Sequence, residues 1–321
     1  MPAESPSRLK EFPIAWFAVV MGLAGYTIAW NRATIAFGLS FAPGRYLLPA
    51  VGALFALALA VFAVKTVRYP RETLAEIRHP VKLAFVPTIS ISLLLLAIAA
   101  MHQAPALSKG LWVAGTVIHA GLTLYVMSSW IRHDKFEITH LNPAWFIPVV
   151  GNMLVPIAGV RHASPEISWI FFGFGLFFWP VLTAIIFYRL IFHGSLPERF
   201  MPTLFIFIAP PAVGFLSYLN LAGGLDAFAR VLYGTALFFT ALVLAQAPQL
   251  VRLRFFLSWW AYSFPLAAVT IATLVMAHET GARGYLWLGG ALLGLLTVVV
   301  AMLLVRTGLA VARREICVEG P

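Results

Sequence analysis

"WWAYSFPLAAV" (residues 259–269) is apolar enough to lie inside a lipid bilayer, yet it sets Pro265 where an unbroken helix would be most stable. The bulky ring of Phe264 stands immediately before that proline. Proline removes a backbone N–H and clashes with the preceding turn, which costs about 3 kcal/mol in a helix interior. A buried helix that accepts this penalty raises a question that only the rest of the chain answers.

The 321 residues are 61% hydrophobic and 11% charged, whereas soluble domains carry about 45–50% apolar and 25% charged residues. Such a composition cannot coat a water-soluble globule. Runs of roughly 20 apolar residues, enough to cross the hydrocarbon core, recur throughout the chain. "YLLPAVGALFALALAVFAV" (46–64) and "YLWLGGALLGLLTVVVAMLLV" (285–305) contain no charge at all. The expectation is an all-α polytopic membrane protein, a single ten-helix transmembrane domain over 1–321 with short tails at 1–12 and 313–321. The polar start "MPAESPSRLKEF" leads into a full-length span and shows no cleavable signal peptide.

Apolar runs between charged and Pro/Gly breaks place ten spans at about 13–33, 45–66, 80–101, 104–131, 143–160, 165–192, 202–221, 225–250, 253–277 and 284–312. The basic residues then test the topology. Six of the 22, namely Arg32, Arg45, Lys109, Arg161, Arg230 and Arg283, fall on one side, and the other sixteen share the side of both termini. By the positive-inside rule both termini are expected to be cytoplasmic. The net charge of +10 is explained by this asymmetry, so no nucleic-acid partner is needed.

None of the twelve acidic residues lies mid-span. Ion-coupled carriers often hold an ionisable group within the membrane, so their placement weakens a proton-coupled reading. His119 lies mid-span on an even helix and is read as making an interhelical hydrogen bond; His133 and His140 fall in a polar loop. The single cysteine, Cys317, sits in the tail and excludes an intramolecular disulfide and a cysteine metal site. No HExxH, paired intramembrane carboxylates or phosphate-binding loop is present, so no enzyme activity, metal, cofactor or direct ATP drive is expected.

Interior prolines are uneven. The third, fifth, seventh and ninth spans carry Pro87, Pro148 with Pro156, Pro210 with Pro211, and Pro265, while of the even spans only the sixth has a central one, Pro180. The first span has Gly22 and Gly25 instead. Irregular backbone at membrane depth is tolerated where it is buried in protein or lines a watery cavity. Bent odd spans around a central path, with straighter even spans outside, is one reading. Ordinary enrichment of proline in membrane helices is the other.

The motifs "RHPVKLAFVP" (78–87), "NPAWFIPVVGNMLV" (142–155), "LPERFMPTLFIFIAPPAVGFLSYL" (196–219) and "LSWWAYSFPLAAVTIAT" (257–273) appear in order over nearly the whole chain. In them the sequence resembles the tellurite-resistance/dicarboxylate transporter family, which includes the bacterial TehA proteins, the plant slow anion channels and the yeast malate permeases. The resemblance implies five helical hairpins in quasi-fivefold array around a central pore, and a homotrimer with one pore per subunit. It also implies that Phe264 plugs the pore, with kinks at Pro87, Pro148, Pro211 and Pro265. Some relatives have a proline in the first helix where this chain has Val20, which puts a fifth kink in question.

Pore-lining candidates are then Gly22, Pro87, Thr88, Pro148, Gly151, Asn152, Pro210, Pro211, Gly214 and Pro265, with Ser90 as a further hydroxyl and Lys82 and Arg252 as basic residues near a mouth. The expected function is a gated channel for small monovalent anions such as chloride or nitrate. The alternative is a secondary carrier or exporter of C4-dicarboxylates or tellurite-related oxyanions. Partners are then small inorganic anions or organic dicarboxylates, membrane lipid and further copies of the chain.

Overall fold

A computed structural model describes residues 8–132 and 135–317. Residues 1–7 and 318–321 of the expected tails, and His133 of the expected polar loop, lie outside the described residues. The described chain is all-helical, with ten segments long and apolar enough to cross a membrane. They run Ile14–Ala36, Pro43–Arg68, Lys82–Ala100, Pro105–Arg132, Pro143–His162, Pro165–Phe192, Glu198–Ala222, Ala227–Leu244, Leu257–Thr280 and Arg283–Ala312. The eighth is shorter than expected: the helix stops before Gln246, and a separate turn, Ala247–Leu250, carries Pro248 at its start. A short amphipathic helix, Pro70–Arg78, joins the second and third spans.

Each odd span packs on the even span that follows it, giving five hairpins. The odd spans also contact one another in order, and the ninth closes back on the first. This ring is consistent with a quasi-fivefold array. Burial separates the two sets: 61–89% of the apolar window of each odd span is inside the molecule, against 22–39% for the even spans. An even number of crossings leaves both chain ends on one face, called here the terminal face; the opposite one is the distal face.

The even spans run as uninterrupted α-helices, even over Pro49 and Pro180. Four odd spans are built in two parts. A 3₁₀ stretch, Lys82–Phe85, Glu198–Ile208 or Leu257–Tyr262, leads into an α-helix in the third, seventh and ninth spans. The fifth alternates 3₁₀ and α over Pro143–His162. The prolines stand at the junctions: Pro87 caps the α-helical part, Pro148, Pro156, Pro210 and Pro211 occupy its first positions, and Pro265 is its third residue. At such a junction the missing N–H would have bonded a carbonyl of the preceding turn, so that carbonyl needs another donor. The prolines lie within the odd spans, as expected, but at the start of the α-helical part rather than in its middle. They open the distal half of each span.

The first span differs. It is α-helical from Phe17 to Ala36 without a break at Val20, Gly22 or Gly25. Gly22 sits inside this unbroken helix and lines neither of the two cavities described below. An added Cβ there would overlap Ser263 Oγ and sit 2.9 Å from the Trp260 ring, so this glycine is what lets the first and ninth spans approach.

The terminal face is clasped by a buried ion pair. Lys65 Nζ meets Glu76 Oε2 at 2.6 Å, with both side chains under a tenth exposed. Lys65 also donates to Phe12 O at 2.7 Å, and Glu76 Oε1 accepts from Ile14 N–H at 2.9 Å. The pair thus ties the second span, the connecting helix and the entry of the first span together. Removing one member of a buried pair strands the other charge, so Lys65→Ala is expected to lose about 3–5 kcal/mol of stability. Thermal unfolding in detergent will read this as a lowered Tm.

Candidate functional site: an axial path divided at Phe264

Satisfying the junction carbonyls determines which polar side chains remain available inside the ring. Thr88 Oγ1 donates to Phe85 O at 2.6 Å, Ser90 Oγ to Pro87 O at 2.9 Å and Ser263 Oγ to Trp260 O at 2.6 Å. Asn152 Nδ2 donates to the carbonyls of Pro148 and Val149, both at 3.0 Å, and to Thr123 Oγ1 at 3.2 Å. Ser217 Oγ donates to Met153 O, whose 3₁₀ partner would have been the N–H that Pro156 lacks. These groups keep the broken backbone satisfied, as irregular segments at membrane depth require. Asn152 and Ser90 are therefore not free donors on a pore, contrary to expectation. Both are buried and line neither cavity described below.

Two cavities lie within the ring of odd spans, and every residue lining them comes from an odd span or the loop directly after one. The larger, of about 430 Å³, opens toward the distal face. The smaller, about 60 Å³, lies toward the terminal side and is lined by Thr88, Gly151 and apolar side chains. The cavities share three residues: Leu154, Val213 and Phe264. Of these three, Leu154 and Val213 are buried and Phe264 is partly exposed.

Phe264 rests against the first span at Gly25, where a Cβ would come within 3.2 Å of the ring and 3.1 Å of Ala267 Cβ. Leu154 and Val213 were not singled out by sequence, and Gly25 was named with Gly22 only as standing in for a first-span proline, not as a lining residue. Their types are ordinary for membrane helices, and only the packing brings them to one cavity.

The other candidates separate into groups. Thr88, Gly151 and Pro265 line the smaller cavity. Pro87, Pro148, Pro210, Pro211 and Gly214 line neither; the prolines serve the junctions, and Gly214 packs near Leu232 and Met153. Lys82 and Arg252 are exposed on the terminal side, outside both cavities. His119 on the fourth span pairs Nδ1 with Ser90 Oγ at 2.9 Å, the interhelical bond expected of it, and its Nε2 is buried against Gly151 without a partner. No group of three metal-ligating side chains occurs among the described residues.

Replacing Asn152 by leucine keeps the volume and deprives Val149 O of its side-chain donor, while Pro148 O keeps Thr123 Oγ1 at 2.8 Å. A buried acceptor left unpaired costs about 1–3 kcal/mol, so Asn152→Leu is expected to lower Tm in detergent by that equivalent. Thr123→Val, which leaves Asn152 with its two carbonyl partners, is expected to lower it less.

Comparison with known proteins agrees with this architecture. Residues 11–308 match the model of the SLAC1 family, described as voltage-dependent anion channel. The chain is 28% identical over 295 residues to an uncharacterized transporter of Methanocaldococcus jannaschii, covering 83% of this chain and 85% of that one. It is 24% identical over 279 residues to the tellurite resistance protein TehA homolog of Haemophilus influenzae, covering 86% and 85%. With the S-type anion channel SLAH2 of Arabidopsis thaliana it shares 26% identity over 278 residues, 84% of this chain but 54% of the plant protein. The relatives are anion channels and transporters, not enzymes. This multi-pass membrane protein belongs to the SLAC1 family.

Proposed function

We propose that the protein is a gated channel passing small monovalent anions, such as chloride and nitrate, along the axis of each subunit. The observation that carries this reading is the position of Phe264, the partly exposed residue common to two cavities that are otherwise built from all five odd spans. An aromatic ring across a narrow apolar path blocks it sterically and by dewetting, without any charge. Turning the ring away from Gly25 would join the two spaces.

Selectivity for anions follows from backbone rather than side chains. The α-helical parts of the third, seventh and ninth spans begin at Thr88, Ala209 and Ser263, beside the smaller cavity. The first N–H groups of the latter two already bond carbonyls of the preceding 3₁₀ stretch, so what reaches the smaller cavity is only the weak positive field of aligned peptide dipoles. Such a weak field suits anions that shed water readily. No ionisable residue lines the narrow part among the described residues, which favours passive flow over a carrier coupled to protons.

By the positive-inside rule the terminal face is cytoplasmic, in the inner membrane of a bacterium. The exposed even spans face lipid and neighbouring subunits of a homotrimer, each with its own path. The test is planar-bilayer recording of wild type beside Phe264→Ala. Taking away a barrier of ~1.4 kcal/mol raises a rate about tenfold, and truncating the ring is expected to raise anion conductance by at least that factor. Reversal potentials should follow the anion gradient. A carrier of C4-dicarboxylates or tellurite-related oxyanions would instead show saturable flux linked to a proton gradient and no unitary current. A scaffold would show none even after truncation.

A further inference from the structure

The two cavities differ in charge as sharply as in size. Arg32, from the first span, and Arg161, from the end of the fifth, both line the distal cavity, together with His102 and the carboxylate-bearing Glu279. Neither arginine has an ion-pair or hydrogen-bond partner among the described residues; the ion pairs there are Lys10–Glu72 and Lys65–Glu76. The two amides at the same rim are engaged with backbone, Asn31 donating to Ala99 O at 3.3 Å and Asn220 to Leu216 O at 2.7 Å. The imidazole of His102 is held below its ordinary pKa, first by burial and then by the fields of Arg161 and Arg32, which places all three groups in one neighbourhood.

With His102 neutral, two guanidinium groups and one carboxylate leave a single net positive charge in a cavity whose floor is the apolar set Leu154, Val213 and Phe264. A cleft lined by one sign of charge between low-dielectric walls focuses its field and raises the local concentration of counter-ions. Arg161 also lies in the last turn of its helix, where it offsets the negative end of the dipole, so part of its charge has a structural use. Arg32 lies a turn before the end of its helix, half-buried and within the field of the Glu279 carboxylate. The smaller cavity has no ionisable lining residue, and Lys82 and Arg252 stand outside it.

We propose that Arg32 and Arg161 form a capture site for one monovalent inorganic anion in the distal vestibule, and that the lack of a counterpart on the terminal side makes the protein collect anions from the distal side at lower concentration. The single net charge suits one monovalent ion and leaves a doubly charged one uncompensated. The volume admits the ion with water still attached, and the remaining water is shed at Phe264. This deepens the channel reading and rests on it for the consequence in flux; the binding site itself does not depend on conduction.

Bromide is the probe. Crystals of the full chain grown in bromide are expected to show anomalous density between Arg32 and Arg161, and Arg32→Gln/Arg161→Gln is expected to abolish it. No peak in the wild type, or a peak that survives in the double variant, overturns the capture site whatever the protein conducts. In bilayers, on the Phe264→Ala background, the half-saturating bromide concentration should be lower from the distal than from the terminal side. Adding the two glutamines should raise the distal value about tenfold, equivalent to roughly 1.4 kcal/mol of binding, and leave the terminal value unchanged. Equal values from both sides, or no response to the glutamines, overturns the directional claim. If Phe264→Ala passes no current while bromide binds, the channel reading fails and the capture site stands.

Discussion

Inside a bilayer every backbone N–H and C=O must find its partner within the protein, and the inner ring of this molecule is organised by that demand. Four of its five spans change helical type partway across, which displaces carbonyls from their usual donors. Hydroxyls and one amide, from Thr88, Ser90, Asn152, Ser217 and Ser263, take up those carbonyls from within the ring. The side chains that look in the sequence like polar lining are consumed by the backbone. What faces the axis at the narrow point is left apolar, and its electrostatic character comes from aligned peptide dipoles and from arginines well away from it.

The division of labour between odd and even spans follows. A straight helix satisfies its own backbone and can stand against lipid, as the even spans do. A two-part helix depends on neighbours and has to be inside. Packing then places Phe264 against Gly25 and, with Leu154 and Val213, between the two cavities; in the reading proposed above, a barrier there needs no charged group. Charge is zoned instead: arginines in the distal vestibule, the weak field of peptide dipoles beside the smaller cavity, and exposed basic residues on the terminal face.

Much of this was legible in the sequence, because length and hydropathy alone dictate ten crossings and the spacing of interior prolines marks the inner set. Phe264 was singled out by the family resemblance of the motif around Pro265, since on its own a mid-helix phenylalanine reads as packing. Four features escaped. The 3₁₀ segments did, since they depend on packing and not on composition; Pro180 and Pro49 sit in unbroken helices. The connecting helix Pro70–Arg78 did because its apolar stripe is short and lies between two far stronger signals. Gly25 was passed over for Gly22, because both sit in one small-residue run and only the register of the ninth span against the first decides which faces the ring. Arg32 and Arg161 were read as markers of topology, and their convergence on one cavity is a tertiary fact.

The central claim is a continuous axial path interrupted at one ring. Cysteine accessibility tests it most directly, in a background where Cys317 is replaced by serine. A membrane-impermeant thiol reagent applied from the distal side should label Ala268→Cys, in the distal cavity, and spare Ala261→Cys, beyond the ring. With Phe264→Ala added, both positions should react. Labelling of Ala261→Cys from the distal side while the ring is intact, or its continued protection once the ring is gone, would contradict the account.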